Sequence, residues 1–269
     1  MNKQRQRIDG FLFSFAIAGA LLLVFIILPL LATLLGTPLD ALWQALIDAN
    51  VQSSIVLTFV SAAWATILAM LTGVPLAYLL ARYKFIGKRW IQGIINLPII
   101  IPHTAAGIAL LMVFGRQAPL GQAFGVFGMR FTDAVPGIVV GMLFVSLPYL
   151  VNSAREAFAS INPEMERSAE VMGATRWQAF LYVTLPIAWR GIMAGAVMMW
   201  GRGISEFGAV VILAYNPKII PVLVYQSFAG FGLTAALPLT VILILASLLV
   251  FVALQLLFIP NEEEFTTEE

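Results

Sequence analysis

Long apolar runs alternate with short polar segments along this chain. Six runs reach or approach the roughly 20 residues that a helix needs to cross a hydrocarbon core. They cover about 11–34, 54–80, 91–114, 135–151, 191–214 and 236–259. One stretch breaks the rhythm. Between Asn152 and Arg190 the chain carries Arg155, Glu156, Glu164, Glu166, Arg167, Glu170, Arg176 and Arg190. The pattern predicts an all-α integral membrane protein with six transmembrane helices and a polar helix–turn–helix loop, 152–190, between spans four and five. No 20–50-residue repeat and no internal linker divides it, so residues 1–269 read as one transmembrane domain.

Local signals resolve the polar stretch. Asn162-Pro163 pairs a good N-cap with a residue tolerated at the first helical position. Glu164 and Glu166 follow in the first turn, where carboxylates suit the positive helix end. Gly173 supplies a left-handed stop. The helix between them has about ten residues and is near 15 Å long, too short to span. Thr175-Arg176-Trp177-Gln178 then fits a capping box, so a second helix starts at Arg176 and is expected to weaken near Pro186. On the first helix Met165, Ser168, Ala169 and Met172 share a stripe, and Glu164, Arg167 and Glu170 share another. The stripe suits a groove on a partner protein. It equally suits the ends of the chain's own helices.

Composition supports the membrane reading. Hydrophobic residues make up 61% of the chain and charged residues 11%, with mean hydropathy +0.94; soluble domains carry about 25% charge. The first run exceeds the ~7–15 residues of a signal-peptide core and no clear cleavage site follows, so it reads as a retained span. Placing the N-terminus in the cytoplasm puts eleven of the fifteen basic residues inside, and only Arg116, Arg130 and Lys218 outside. Arg202 remains within a span. Both termini are then cytoplasmic, and the acidic tail NEEEFTTEE is expected to fray. Outside, 115–134 is rich in Gly and Phe. Residues 215–235 read either as a loop that dips into the membrane or caps a mouth, or as a packed surface loop. No basic block suits nucleic acid. With no cysteine and one histidine, a metal centre has no ligand set.

Further along the polar loop the residues resemble a family. Permease subunits of binding-protein-dependent ABC importers carry E-A-A-x-x-x-G, nine residues, then I-x-L-P. This chain has Gly173, nine residues, and Val183-Thr184-Leu185-Pro186. Ala169 matches the second alanine. Arg167 and Ser168 stand where the family has glutamate and alanine, and Glu166 lies one residue earlier. GVPLAYLLAR at 73–82, LPIIIPHTAAGIALL at 97–111, DAVPGIVVGMLFVSLPY at 133–149 and RGISEFGAVVILAY at 202–215 look like molybdate/tungstate permeases, close kin of sulfate permeases.

The resemblance implies a transmembrane subunit of a plasma (inner) membrane importer for molybdate or tungstate, with sulfate or another oxyanion as the alternative. It implies an ATPase-coupling loop with Met165, Glu166, Ser168, Ala169, Met172, Gly173 and Pro186. It further implies a homodimer with the path at its interface, two copies of a separate ATP-binding subunit that carry ATP and Mg, and an extracytoplasmic oxyanion-binding protein. No cofactor is expected on this chain. No G-x-x-x-x-G-K-[S/T] occurs either, since Gly87-Lys88 leads into Arg89 and lacks the upstream glycine. An energy source, if ATP, comes from another chain.

Ionisable residues inside spans are costly and mark functional candidates. Arg202 and Glu206, four apart, are expected to share a helix face. With Ser205 they either line the path, Arg202 meeting the oxyanion, or form an ion pair that holds the bundle together. His103 follows Pro98 and Pro102, two prolines that predict a kink. Pro98, Pro102 and His103 read as a gate or hinge, or His103 as a structural residue bonded to a freed carbonyl. Gly137 and Gly141 form a small-x-x-x-small pair suited to close packing. No nucleophile, base and orienting partner assemble, so the chain does not read as an enzyme. An ion-coupled carrier would call for repeats and more intramembrane acids than Glu206. A membrane scaffold or enzyme without transport is weaker still.

Overall fold

The structure is a computed structural model that describes residues 10–258. Lys3, Arg5, Arg7 and the acidic tail from Asn261 lie outside the described residues. Within them the chain is helical, with no strand. The helices are α1 (Gly10–Leu35), α2 (Leu39–Ile47), α3 (Ala49–Arg82), α4 (Lys88–Ile100), α5 (His103–Phe114), α6 (Pro119–Gly125) and α7 (Val135–Ser160). Then come α8 (Pro163–Val171), α9 (Arg176–Ala179), a π turn at Phe180–Thr184, α10 (Leu185–Ile204), α11 (Gly208–Leu213), α12 (Ile220–Phe231) and α13 (Leu233–Phe258). Backbone groups in lipid must be satisfied within the protein, and helices do this segment by segment. Five helical runs are long and apolar enough to cross a membrane: α1, α3, α7, Arg176–Ile204 and α13; the bent pair α4 and α5 makes up to six.

The third and fifth expected spans differ from their sequence reading. The run 91–114 is two helices bent by 116°. Of its two prolines only Pro102 sits at the break. The residue before a proline avoids helical geometry, and Ile101 is extended, with φ −74° and ψ 145°. Pro98 stays inside the last turn of α4. The expected fifth span, 191–214, is shifted. Helical structure runs from Arg176 to Ile204, breaks over Ser205–Phe207 and resumes as α11. The second hairpin helix, expected to weaken near Pro186, departs from α geometry just before it, at Phe180–Thr184, and then continues. In the π turn the Leu185 N–H donates to Phe180 O, five residues back, and this wider turn carries the helix into Pro186 at the start of α10.

The core lies between α3, α7 and α10. Without water to drive helices together, association in lipid depends on close contact between small residues. Helix α3 buries Ala62, Ala65, Ala69, Gly73 and Ala77 along one stripe. A Cβ at Gly195 of α10 would sit 2.6 Å from the Ser153 Cβ of α7. The pair foreseen at Gly137 and Gly141 serves the same end: a Cβ at Gly141 would come to 3.2 Å from Val210 of α11. The segment 215–235 is largely the helix α12, and the buried Ile220 N–H at its start donates to Thr58 Oγ1 at 2.9 Å. Helix α1 touches α13 but has no buried residue.

Candidate functional site

Two polar clusters interrupt the apolar body, one at the hairpin and one at the helix breaks. At the hairpin the local signals act as expected. Asn162 Oδ1 accepts from Glu164 N–H at 3.0 Å. Gly173 has φ +99°. Thr175 and Gln178 close a reciprocal capping box. The resulting helix α8 presents two faces. Met165, Ser168 and Met172 are exposed, while Ala169, a member of the same numerical stripe, is buried. Exposed Val171, Trp177 and Tyr182 extend the outer apolar surface. Pro186 is exposed at the start of α10.

Glu166 faces inward. Arg82, at the end of α3, donates from Nε to Oε1 at 2.9 Å, and its Nη2 lies 2.8 Å from the same oxygen. Thr184 Oγ1, in the π turn, donates to Oε1 at 2.6 Å, and the Tyr78 hydroxyl donates to Oε2 at 3.2 Å. Arg82 also donates from Nη1 to Ile161 O at 2.9 Å. The two charged side chains are only 8% and 14% exposed. One carboxylate thus joins α3, α8 and the π turn, with Tyr78 set edge-on to Phe158 and Phe180 behind it. Arg82, Tyr78 and Thr184 were not foreseen at this site. Their only signal is that Tyr78 and Arg82 lie four apart on one helix face, while their partner is more than 80 residues away.

The second cluster gathers residues that sequence reading treated separately. His103 opens α5 just after the bend, and Arg202 lies in the last turn of α10. Ser205 and Glu206 fall in the break that follows. Glu206, fully buried, accepts from Arg202 Nη2 and lies 3.0 Å from His103 Nδ1, both through Oε2. Its Oε1 accepts from Ala209 N–H at 2.8 Å and so caps α11. Arg202 Nη2 lies 2.9 Å from His103 Nδ1 and 3.0 Å from Nε2, so the guanidinium sits against the imidazole ring. Arg202 Nη1 donates to Ser205 Oγ at 3.1 Å, and Ser205 Oγ donates back to Arg202 O at 3.0 Å.

Arg202 and Glu206 are paired as the i, i+4 spacing suggested, but across a break and not along a continuous helix. Two glycines let the broken spans meet. A Cβ at Gly208 would stand 2.7 Å from the His103 Cβ, and one at Gly107 would stand 2.9 Å from Ala209 O. Helices α5 and α11 therefore pack at backbone distance. Pro98 is buried and outside the cluster, and Pro102 forms the bend beside it. No group of three or more metal-ligating side chains occurs among the described residues.

Comparison with known proteins shows the family and the fold. A family model described as binding-protein-dependent transport system inner membrane component matches residues 73–258. The molybdate/tungstate transport system permease protein of Pyrococcus furiosus is 42% identical over 251 residues, 93% of this chain and 96% of that one. The sulfate transport system permease protein of Escherichia coli is 28% identical over 94% of both chains. In overall fold the chain is similar to a solved bacterial alginate ABC transporter subunit, with TM-score 0.74 at 17% identity, over 95% of this chain and 97% of that one.

Proposed function

The chain belongs to the family of binding-protein-dependent transport system inner membrane components, and on that footing we propose that it is the transmembrane subunit of an ATP-driven importer for molybdate or tungstate. The observation that carries the substrate is its near full-length match to a molybdate/tungstate permease, at higher identity than its match to a sulfate permease. It is a multi-pass membrane protein, with helical runs long enough to cross a bilayer. The basic residues set its orientation: the hairpin and both termini lie in the cytoplasm, in a plasma (inner) membrane.

In this reading a separate ATPase, holding ATP and Mg, grips the exposed face of the hairpin. Met165, Val171 and Met172 supply the contact, and Ser168 leaves room for close approach. Glu166 and Ala169 are turned inward and tether the hairpin to α3. Arg176–Ile204 is one helical run of 29 residues. It joins Thr184 of the hairpin cluster to Arg202 of the break cluster, about 27 Å away at 1.5 Å per residue. Motion imposed on the hairpin reaches Arg202 through that run, and His103, Arg202, Ser205 and Glu206 form the gate. Nucleotide and substrate drive transport because each contacts the two access states differently. An extracytoplasmic binding protein delivers the oxyanion. A second copy of the chain completes the path, and α1, which buries none of its residues within the chain, supports such an assembly by leaving apolar surface for it.

The test is uptake. The chain, purified with the ATPase and binding protein expressed beside it and placed in proteoliposomes, is expected to accumulate tungstate only with ATP and binding protein present. Molybdate should compete and sulfate in equal amount should not. Uptake that ignores ATP, or prefers sulfate, overturns the reading.

A further inference from the structure

The charge pattern assigns only three basic residues to the outer face, and the structure brings two of them together. Arg116 and Arg130 line one recess of about 260 Å³, with Phe114, Phe131 and Thr132 in its wall. Phe131 is buried, and its ring meets Phe114 at 4.8 Å and Phe124 at 5.4 Å, which fixes the floor. Neither guanidinium has a carboxylate partner among the described residues. Asp133, next in sequence, is engaged elsewhere: its Oδ1 accepts from Asn216 N–H at 3.3 Å. Thr132 Oγ1 is buried with no hydrogen-bond partner.

Two cations in one recess repel each other, and an unpaired buried hydroxyl carries a desolvation cost. A single small anion relieves the repulsion. Guanidinium forks are charge-assisted, bidentate donors, the chemistry that holds tetrahedral oxyanions. The recess is too small for a folded segment of a partner. Helix α5 runs from it back to His103, a distance of about 17 Å.

We propose that this recess is a subsite for a tetrahedral oxyanion, occupied by the transported anion at the outer mouth before it reaches the His103–Arg202–Glu206 cluster. The identity of the anion and the side of the membrane rest on the function proposed above. The direct test is equilibrium dialysis of tungstate against the full chain in phosphatidylcholine nanodiscs. Saturable binding is expected, weakened about tenfold or more by Arg116→Gln with Arg130→Gln. The double lysine variant should retain part of it. Gly125→Leu keeps both charges and fills the recess; a Cβ at Gly125 meets nothing within 4 Å, so the fold tolerates it. It too should lose binding.

Binding unchanged in the glutamine variant, or in Gly125→Leu, overturns the proposal. If nanodiscs containing phosphatidic acid abolish tungstate binding at this site, a lipid phosphate is the occupant and the substrate assignment falls. Uptake by the assembled complex separates the two readings. Wild-type uptake of tungstate without recess binding sinks only the subsite, and no uptake of either metal oxyanion sinks the transport reading itself.

Discussion

Glu166→Ala removes the carboxylate that receives Arg82, Thr184 and Tyr78. Arg82 is then left 8% exposed, with Ile161 O as its remaining partner. Removing one side of a buried ion pair costs about 3–5 kcal/mol. The pair sits at the end of a span and keeps some exposure, so the low end, about 3 kcal/mol, is the expectation. Because the carboxylate joins the hairpin to α3, the loss should appear first as local opening of α8. At about 1.4 kcal/mol per decade, hydrogen exchange of amides in 163–171 should accelerate about a hundredfold in nanodiscs. Exchange in the α7 core, at Ile138 to Val145, should barely change. Arg82→Ala should have a similar effect, and the double variant should fall short of the sum by about 1.5 kcal/mol or more. Unchanged exchange in α8, or strict additivity of the two losses, would refute the tether.

Three further outcomes follow from named contacts. Val171→Glu with Met172→Glu alters only exposed positions, so melting should shift little while co-purification of the ATPase is lost; full retention would move the docking face elsewhere. Gly208→Ala places a methyl 2.7 Å from the His103 Cβ and should cost about 1–3 kcal/mol by thermal denaturation, whereas Gly93→Ala, with open space around its Cβ, should be neutral or stabilising; equal effects would contradict the close α5–α11 packing. Glu206→Gln strips the counter-charge from Arg202 and should lower both stability and uptake, by about 3 kcal/mol in stability; Arg202→Met with Glu206→Gln keeps an amide oxygen to cap α11 and should recover stability but not uptake, and recovery of both would reduce the cluster to a structural clasp.

Apolar run length was enough to place α1, α3, α7 and α13, because lipid imposes the same demand on every spanning backbone. It was not enough to find the breaks. Pro98 and Pro102 look alike in sequence and each removes a backbone donor, yet only Pro102 follows an extended residue and stands as the N-cap of α5, where no intrahelical donor is needed. The break at Ser205–Phe207 has no proline at all. Its cause is Glu206, which caps α11, and its faint signal was the punctuation by Gly203, Ser205 and Gly208. Capping residues made the hairpin legible to within a residue or two. Which of its faces pointed outward was not, since Ala169 shares a stripe with Met165 and Met172 by number but follows Glu166 inward. Two of the partners of Glu166 lie on α3 and the third, Thr184, in the π turn, and no local pattern encodes the pairing with α3. His103 and Arg202 were each marked as unusual, but their meeting depends on two breaks and two glycines acting together.

Helix α1 buries none of its residues in this chain. Its order of residues therefore carries little packing information within the protomer beyond its few contacts with α13. A helix that meets lipid alone tolerates any shuffling of its leucines, isoleucines and phenylalanines. One that fits against a protein surface does not. Tolerance to shuffling along 10–35, compared with the small-residue stripe of α3, thus becomes a readout of what covers the first span. A strict order beyond the positions that touch α13 would be the trace of a second molecule written into a segment with few neighbours of its own to satisfy.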